Sequence, residues 1–521
     1  MSARVPDVTV VIAVYNTMPY LTQCLASVLT QSIGADRLEL IAVNDGSTDD
    51  GPAELDKWAA KYPGTVTVLH QENSGGPAGP SNRALDLATG RYVFFLGADD
   101  HLGPEALERL VGTADELDAD IVLGRMVGAG GRVVNQNIYK PGNRDDIDLV
   151  NSALPWALSN TKLFRRSMLQ EHGIRYPEDL RSYSDQPFTL RAVIAARRIA
   201  VRGDYNFYYA VRRTDSSNIT YGTPLGGMLH DAAVIMDTSA DLITDPVARH
   251  RVLRRHFTWE VGKLLGERFL NTTAEEQQLV LQGVRKLAEA YLTDEIRASL
   301  NVQQRVPLGM AQFGTVEDVA AVARHHLDNG LAPVVIDGDR TYVAYPGFRH
   351  SERGFPDEWF DATEQLREPF HQDSPAQVGL GRSADGRPTL VFSWRSRMSG
   401  PGRVESAPRL LVGDRPATTD FQDGLVRAEL PLADLVAGVR RRRRTRLHFV
   451  GSVGGETFSY PVTTTDVSRA RRLLYRRGLV YYLISAMLDR RGRLGVTVLP
   501  LTPRPVAGRL RSKLRRRLSS R

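Results

Sequence analysis

Two short acidic stretches can carry chemistry, because each directly follows an apolar run. They are Asn44-Asp45-Gly46-Ser47-Thr48-Asp49-Asp50 after Leu38 to Val43, and Gly97-Ala98-Asp99-Asp100 after Tyr92 to Leu96. Carboxylates brought together repel one another unless a cation or donor groups offset them, and an all-oxygen set suits Mg²⁺ or Mn²⁺ rather than zinc. Ser47 and Asp49 also read as turn and helix-capping residues, whereas Asp99 reads as a metal ligand. Between the two stretches, Asn73-Ser74-Gly75-Gly76-Pro77-Ala78-Gly79-Pro80-Ser81-Asn82 places three glycines before a helix that begins near Ser81. Such a loop lets the backbone approach an anion. It has neither the lysine nor the spacing of a phosphate-binding P-loop, and Gly128-Ala129-Gly130-Gly131 has Val133 where a third dinucleotide-fingerprint glycine would stand, so ATP-motor and nicotinamide chemistry lose ground. His70, His101, His172, His325 and His326 show no metal-ligand spacing, and Cys24 shares a helix face with Leu21, Leu25 and Val28 as inert core.

The elements that hold these residues follow from periodicity. Val8 to Val14, Leu38 to Val43, Val66 to His70, Tyr92 to Leu96 and Ile121 to Leu123 are nearly continuous apolar runs alternating with helical patterns. That is the signature of parallel strands covered on both faces, hence an α/β doubly wound sheet, in which ligands bind beyond the carboxyl ends of the strands. Between about Pro224 and Leu300 the pattern is helical, with Leu264, Leu265 and Phe269 on one face and Leu279, Leu281, Val284 and Leu287 on another. From about Gln303 short β-rich runs recur roughly every ten residues, which predicts a sandwich. Arg440 to Arg444 reads as a loop before a strand Arg446 to Val450.

At 521 residues the chain exceeds one domain of about 150 residues. Its 42% hydrophobic and 24% charged content is that of a globular protein. A single cysteine excludes an intrachain disulfide and a Cys-based zinc cluster and points to a reducing, cytoplasmic compartment. The opening MSARVPDVTVVIAVYN reads as a buried first strand rather than a signal peptide, and no run of about 18 apolar residues spans a bilayer. The net charge of +7 is uneven: Arg469 to Arg521 holds sixteen basic residues against Asp489 alone, so the remainder is acidic. A basic tail around the apolar run Gly478 to Leu488 suggests peripheral attachment to an anionic membrane surface, with Leu479, Tyr482, Leu483 and Leu488 dipping below the headgroups. The same charge with no reading motif leaves nucleic acid unexpected as a partner.

In this order and spacing, VTVVIAVYNTMPYL, VNDGSTD, NSGGPAGPSN, ATGRYVFFLGADD and YSDQPFTLRA resemble the inverting family 2 glycosyltransferases of the GT-A fold. The segment SNTKLFRRSMLQEHGIRYPEDLRSYSDQPFTLRA and the β-rich second half bring the chain nearest to the wall teichoic acid poly(ribitol phosphate) N-acetylglucosaminyltransferases. The resemblance is strong over about residues 7 to 215 and loose over 300 to 465. With the patterns above it implies a GT-A catalytic domain over 1–222, a helical linker over 223–302 and a β-rich, Ig-like region over 303–468, while the basic tail over 469–521 has no match in that family.

By position, the resemblance implies that Ala13, Tyr15, Asp45 and Asn73 hold the uracil and ribose of a UDP-sugar, with Ser81, Gly97 and Ala98 beside them, and that Asp99 binds Mn²⁺ or Mg²⁺ on the diphosphate. Asp185 would be the catalytic base. Arg132 and the loop Arg213, Thr214, Asp215, Ser216, Ser217 would lie near the donor phosphates or the acceptor. Inverting sugar transfer needs a carboxylate to take the acceptor proton and a cation to stabilise the departing diphosphate, the roles Asp185 and Asp99 would fill; read without the resemblance, the alternative for Asp185 is a helix N-cap carboxylate. Three positions depart from the family pattern: Gly97 where an Asp-x-Asp begins, Ser81 where an arginine stands, and Ala13 where a proline stands. The expected activity is transfer of N-acetylglucosamine or another hexose from UDP to a polyol-phosphate polymer or related anionic glycan. The rivals are a different donor or a lipid-linked acceptor, and a non-catalytic glycan- or membrane-binding protein. The β-rich half would bind the polymer or form a homo-oligomer.

Overall fold

The computed structural model of the chain describes residues 5–501 apart from 214–221, 331, 333, 338–339, 366–370, 373–375, 396–408, 423–424, 454–455, 465–466, 469–472 and 490–492. The chain divides into two compact units, Met1–Leu300 with Ala311–Val316, and Asn301–Met310 with Glu317–Arg521.

The first unit is built on β1 (Val8–Val14), β2 (Leu38–Asp45), β3 (Val66–Gln71), β4 (Tyr92–Phe95), β5 (His101–Leu102), β6 (Ile121–Ala129), β7 (Leu163–Arg165) and β8 (Ile199–Val211), in the spatial order β3-β2-β1-β4-β7-β6-β8-β5. β1 pairs in parallel with β2 and β4, and β2 with β3, while β7 runs antiparallel between β4 and β6. Both faces are covered, as continuous apolar strands demand. Val8, Val10, Ile12 and Val14 pack toward α1 (Tyr20–Leu29), whose buried face includes Leu21, Cys24, Leu25 and Val28, and toward α4 (Ala106–Leu117). Val11, Ile41, Val43, Val93 and Phe95 pack on the other face with α3 (Ala78–Leu87), α5 (Arg166–Glu171) and α6 (Asp185–Ala195). The doubly wound α/β architecture is therefore as expected, and the strand ends open on one crevice. The antiparallel β7 and the long β8 were not anticipated.

The helical region of this unit includes Leu225–Leu242, Pro246–His256 and Ala274–Tyr291. Leu264, Leu265, Phe269, Leu281, Val284 and Leu287 are buried, but Leu279 is exposed, a correction to the expected apolar face.

In the second unit the helical pattern continues through Val316–Asn329, so the β-rich region begins later than residue 303. Among the described residues eleven strands then form one sheet, nearly all antiparallel, around a shared sandwich-like core containing Leu390, Phe392, Leu430, Leu447, Ile484 and Val496. Arg443 and Arg444, expected in a loop, already belong to the strand Arg443–Val453. The expected tail needs a larger correction. Leu473–Arg477, Val480–Leu488 and Leu494–Leu501 are strands of this sheet, and Tyr482 and Ile484 lie in its core rather than at a lipid surface. The apolar residues Tyr482, Ile484, Leu494, Val496 and Val498 are buried in the core of this sheet, with Leu479 left exposed in the turn. No helix among the described residues is long and apolar enough to cross a membrane.

Candidate functional site

The strand ends of the first unit surround a cleft of about 550 Å³, lined among others by Ala13, Ser81, Gly97, Asp100, Arg132 and Asp185. That size accommodates a small-molecule ligand. Ala13 stands near the end of β1, and Tyr15, just beyond it, is exposed. Asp45 ends β2 and is only 3% exposed. Its carboxylate accepts hydrogen bonds from Gln71 Nε2 at 2.7 Å, Ser74 N at 3.0 Å and Ser74 Oγ at 3.0 Å. Asp45 therefore fixes the path of the glycine loop. Asn73, exposed in that loop, folds its Oδ1 back onto Gly75 N at 2.8 Å. Ser81 is buried in the first turn of α3, and Arg83 reaches Gln71 Oε1 at 3.1 Å instead of the position where an arginine was expected. Ser47 and Asp49 do serve local structure: Asp49 accepts from Met18 N at 2.9 Å and Gly51 N at 3.0 Å, and Ser47 Oγ from Asn16 N at 3.1 Å.

The two acids after β4 differ in their surroundings. Asp100 accepts from Tyr208 Oη at 2.6 Å and Val211 N at 2.7 Å and lies 3.7 Å from Arg132 Nη1, so it ties the end of β8 to the site. Burial and the neighbouring Asp99 charge push its carboxyl up to about 6. The Asp99 carboxylate accepts no hydrogen bond among the described residues, and Arg213 Nε lies 3.9 Å from it. Arg213 is nearly buried, donates to Asn16 O and stacks its guanidinium 5.9 Å from the Tyr20 ring. Arg132 is returned to the cleft by the turn at Gly130 and Gly131 and donates to Val211 O at 3.1 Å. Ala98 is buried in the strand-end core. Thr214, Asp215, Ser216 and Ser217 lie outside the described residues.

The absent Asp at position 97 has a packing explanation. A Cβ on Gly97 would lie 2.9 Å from Asp100 Oδ2, 3.1 Å from Tyr208 Oη and 3.3 Å from Asp99 Oδ1. A third carboxylate here would stand against two others.

Among the described residues no group of three or more His, Cys, Asp or Glu side chains gathers as a metal site. Mg²⁺ and Mn²⁺ nevertheless bind nucleotides with one or two carboxylates, the remaining ligands coming from phosphate oxygens and water. Asp99, a hard oxygen donor with no hydrogen-bond partner, fits that arrangement.

Asp185 is the first residue of α6, and Ser184 rather than Asp185 occupies the N-cap position. Burial pushes the Asp185 carboxyl up to about 6, against the pull of Arg255 and Lys162. Lys162, 1% exposed, donates to Ser159 O, and burial drives its ammonium down to about 7. Tyr183, just before α6, has a left-handed backbone at φ 61°, and its buried hydroxyl has no hydrogen-bond partner. Strained backbone of this kind concentrates at functional sites. Lys263 lies 5.4 Å above the Tyr183 ring and 4.9 Å above that of Trp259, and both helical-region residues line the cleft with Arg255. Nothing in the residue pattern marks Lys162, Arg255, Trp259 or Lys263, which converge only through the fold.

Two family models match the chain: "Glycosyl transferase family 2" over residues 9–173 and "Glycosyl transferase TarS linker domain" over residues 229–323. Among curated proteins, a poly(ribitol-phosphate) beta-glucosyltransferase of Bacillus spizizenii is 37% identical over 42% of this chain and 34% of its own length. The poly(ribitol-phosphate) beta-N-acetylglucosaminyltransferase TarS of Staphylococcus aureus is 36% identical over 39% of this chain and 35% of its own length. The chain thus matches about a third of the length of these relatives. The crystal structure of S. aureus TarS shares the fold, with a TM-score of 0.66 at 21% identity over 96% of this chain and 86% of that one. TarS 1-349 in complex with UDP-GlcNAc superposes with a TM-score of 0.55 at 25% identity, over 67% of this chain and 98% of that one. With its strand-end cleft and its acids after β2 and β4, the chain carries a glycosyl transferase family 2 domain over residues 9–173, followed by a helical region that matches the TarS linker domain over residues 229–323.

Proposed function

We propose that the chain transfers a hexose, N-acetylglucosamine or glucose, from a UDP donor to a hydroxyl of a poly(ribitol phosphate) polymer with inversion at the anomeric carbon. The observation that carries this reading is the cleft itself, which is lined by Asp185 and by the strand-end residues Gly97 and Asp100, next to Asp99, in a fold shared with TarS bound to UDP-GlcNAc. Asp185 takes the proton of the acceptor hydroxyl as its oxygen bonds to the anomeric carbon and the bond to the UDP oxygen breaks. A carboxyl near 6 is ionised at neutral pH yet basic enough to serve. Arg132 and Arg213 face the strand ends as cations for the donor phosphates. Asp99 would hold Mn²⁺ or Mg²⁺, which when bound offsets the charge of the departing diphosphate.

Calorimetry of the full chain with UDP, with and without Mn²⁺, followed by a transfer assay on poly(ribitol phosphate), tests the reading. UDP should bind more tightly with Mn²⁺, and Asp99→Ala should erase that difference. No transfer from any UDP-hexose to the polymer would refute the substrate assignment, and Mn²⁺ dependence surviving in Asp99→Ala would refute the metal role.

A further inference from the structure

Beneath Asp185 lies a set of buried charges that sugar transfer as described does not use. The helix Pro246–His256 continues into a π-helical turn, Phe257–Val261, before Gly262–Leu264. Such turns insert a residue into the helical ladder and re-aim side chains, often at functional sites. Here Arg255, His256 and Glu260 all face inward and are buried. Glu260 Oε2 lies 2.7 Å from Arg255 Nη1 and 3.0 Å from His256 Nδ1, and His256 Nε2 is 2.9 Å from Ser239 Oγ. The pair also grips the residue next to Asp185: Gln186 Nε2 donates to Glu260 Oε1 at 2.9 Å, and Gln186 Oε1 accepts from Arg255 Nη1. Charges removed from water are costly unless paired and hydrogen-bonded, and an apolar set of the same volume would be no less stable.

We propose that Arg255 and Glu260 are positioning residues for Asp185: clamped on Gln186, they hold the first turn of α6 and set the charge balance around the carboxylate that takes the acceptor's proton. The inference rests on Asp185 being that base. The charged and titratable groups facing Asp185 are Lys162, Arg255, Glu260 and the Tyr176 phenol, while Lys263 and His256 act on the Arg255–Glu260 pair. Arg255 and Lys162 favour the ionised Asp185 and Glu260 opposes it. Removing either member of the pair therefore has an effect of predictable sign.

The test is the pH profile of kcat/KM for the full chain. Glu260→Gln, which keeps a polar partner for Gln186, moves the acid limb to lower pH, and Arg255→Gln moves it to higher pH, each by about one unit for charges several ångströms apart in a protein interior. The double variant returns toward the parent. Shifts of the same sign, or an unmoved limb accompanied only by a lower melting temperature, would overturn the proposal. Should the charge variants fail to fold, Gln186→Leu removes the clamp and leaves the charges: kcat then falls about tenfold at unchanged donor KM through misplacement of the base, and an unchanged kcat sinks the idea. Asp185→Asn separates the two assignments, because full turnover there removes the base itself, whereas an Asp185-dependent limb insensitive to Arg255 and Glu260 removes only the positioning role.

Discussion

Asp185 lines the cleft at the start of α6 in a setting that raises its proton affinity without neutralising it at pH 7, and its exchange for asparagine isolates that property. An amide fills the same space and cannot take a proton, so Asp185→Asn should bind UDP as the parent does while losing about 10²- to 10⁴-fold in turnover. For the parent, the sign of the pH effect follows from the raised carboxyl. The base is ionised above about 6 and protonated below it, so kcat/KM should fall about tenfold per unit below that value, and Asp185→Asn should lack this limb. Normal turnover of the variant at saturating donor and acceptor would end the assignment. Asp45 and Asp99 could be singled out from topology, because each follows or ends a strand where a doubly wound sheet binds ligands, whereas Arg132 and the base role of Asp185 rest on the family resemblance. Gln186, Arg255 and Glu260 were not legible, since 69 residues separate Gln186 from Arg255 and only packing joins them.

The elements that converge on the cleft are held in register by short, local devices. Gly46 follows β2 with φ 74°, a left-handed conformation that costs an ordinary residue about 1–2 kcal/mol, and a Cβ there would lie 2.8 Å from the backbone nitrogen of Asn73. Gly46→Ala should therefore push the glycine loop away from Asp45, loosen the start of α3 and lower the melting temperature of the first unit by about 2–4 °C per kcal/mol lost. Donor KM should rise, whereas Asp185, on α6, keeps its role in turnover at saturation. A variant with parental melting and donor affinity would show that the loop is not held this way. Of the five apolar runs read correctly as strands, the interior ones are nearly continuous in apolar residues because both faces are covered, whereas the edge strand β3 exposes Thr67 and His70. β7 escaped notice because it has three residues, and β8 because Arg202, Gly203 and Asp204 interrupt its apolar rhythm. The π-helical turn has no signature in apolar spacing beyond a slip of one position.

At the scale of the molecule, the reading of residues 469–521 as one basic tail fails because charge density and strand pattern coexist there. Arg476 and Arg477 are exposed while Tyr482, Ile484, Val496 and Val498 are buried in the core, so these segments pack as strands of a sheet although the composition is that of a tail. Leu494–Leu501 pairs with Arg443–Arg446 of the strand that also carries Arg409–Val412 and Glu456–Pro461, which makes Arg443–Val453 the hub of the β-rich unit. Cutting the chain after Thr464 would unpair that hub and expose Leu447 and Leu410. It would also delete Tyr482, Ile484, Leu494, Val496 and Val498 from the core. At roughly 1.5–3 kcal/mol for each buried apolar side chain, the loss approaches about 10 kcal/mol, comparable to the whole stability of a domain. The truncated protein should therefore lose the cooperative thermal transition of the second unit and aggregate. A cut after Leu501, which removes half of the sixteen basic residues and none of the described strands, should leave that transition within about 2 °C of the parent. The first unit, which contains the cleft, should keep its UDP affinity in both truncations. Equal stability of the two truncated forms would show that the last three strands add nothing to the sheet, and unequal UDP affinity would show that the β-rich unit acts on the donor site.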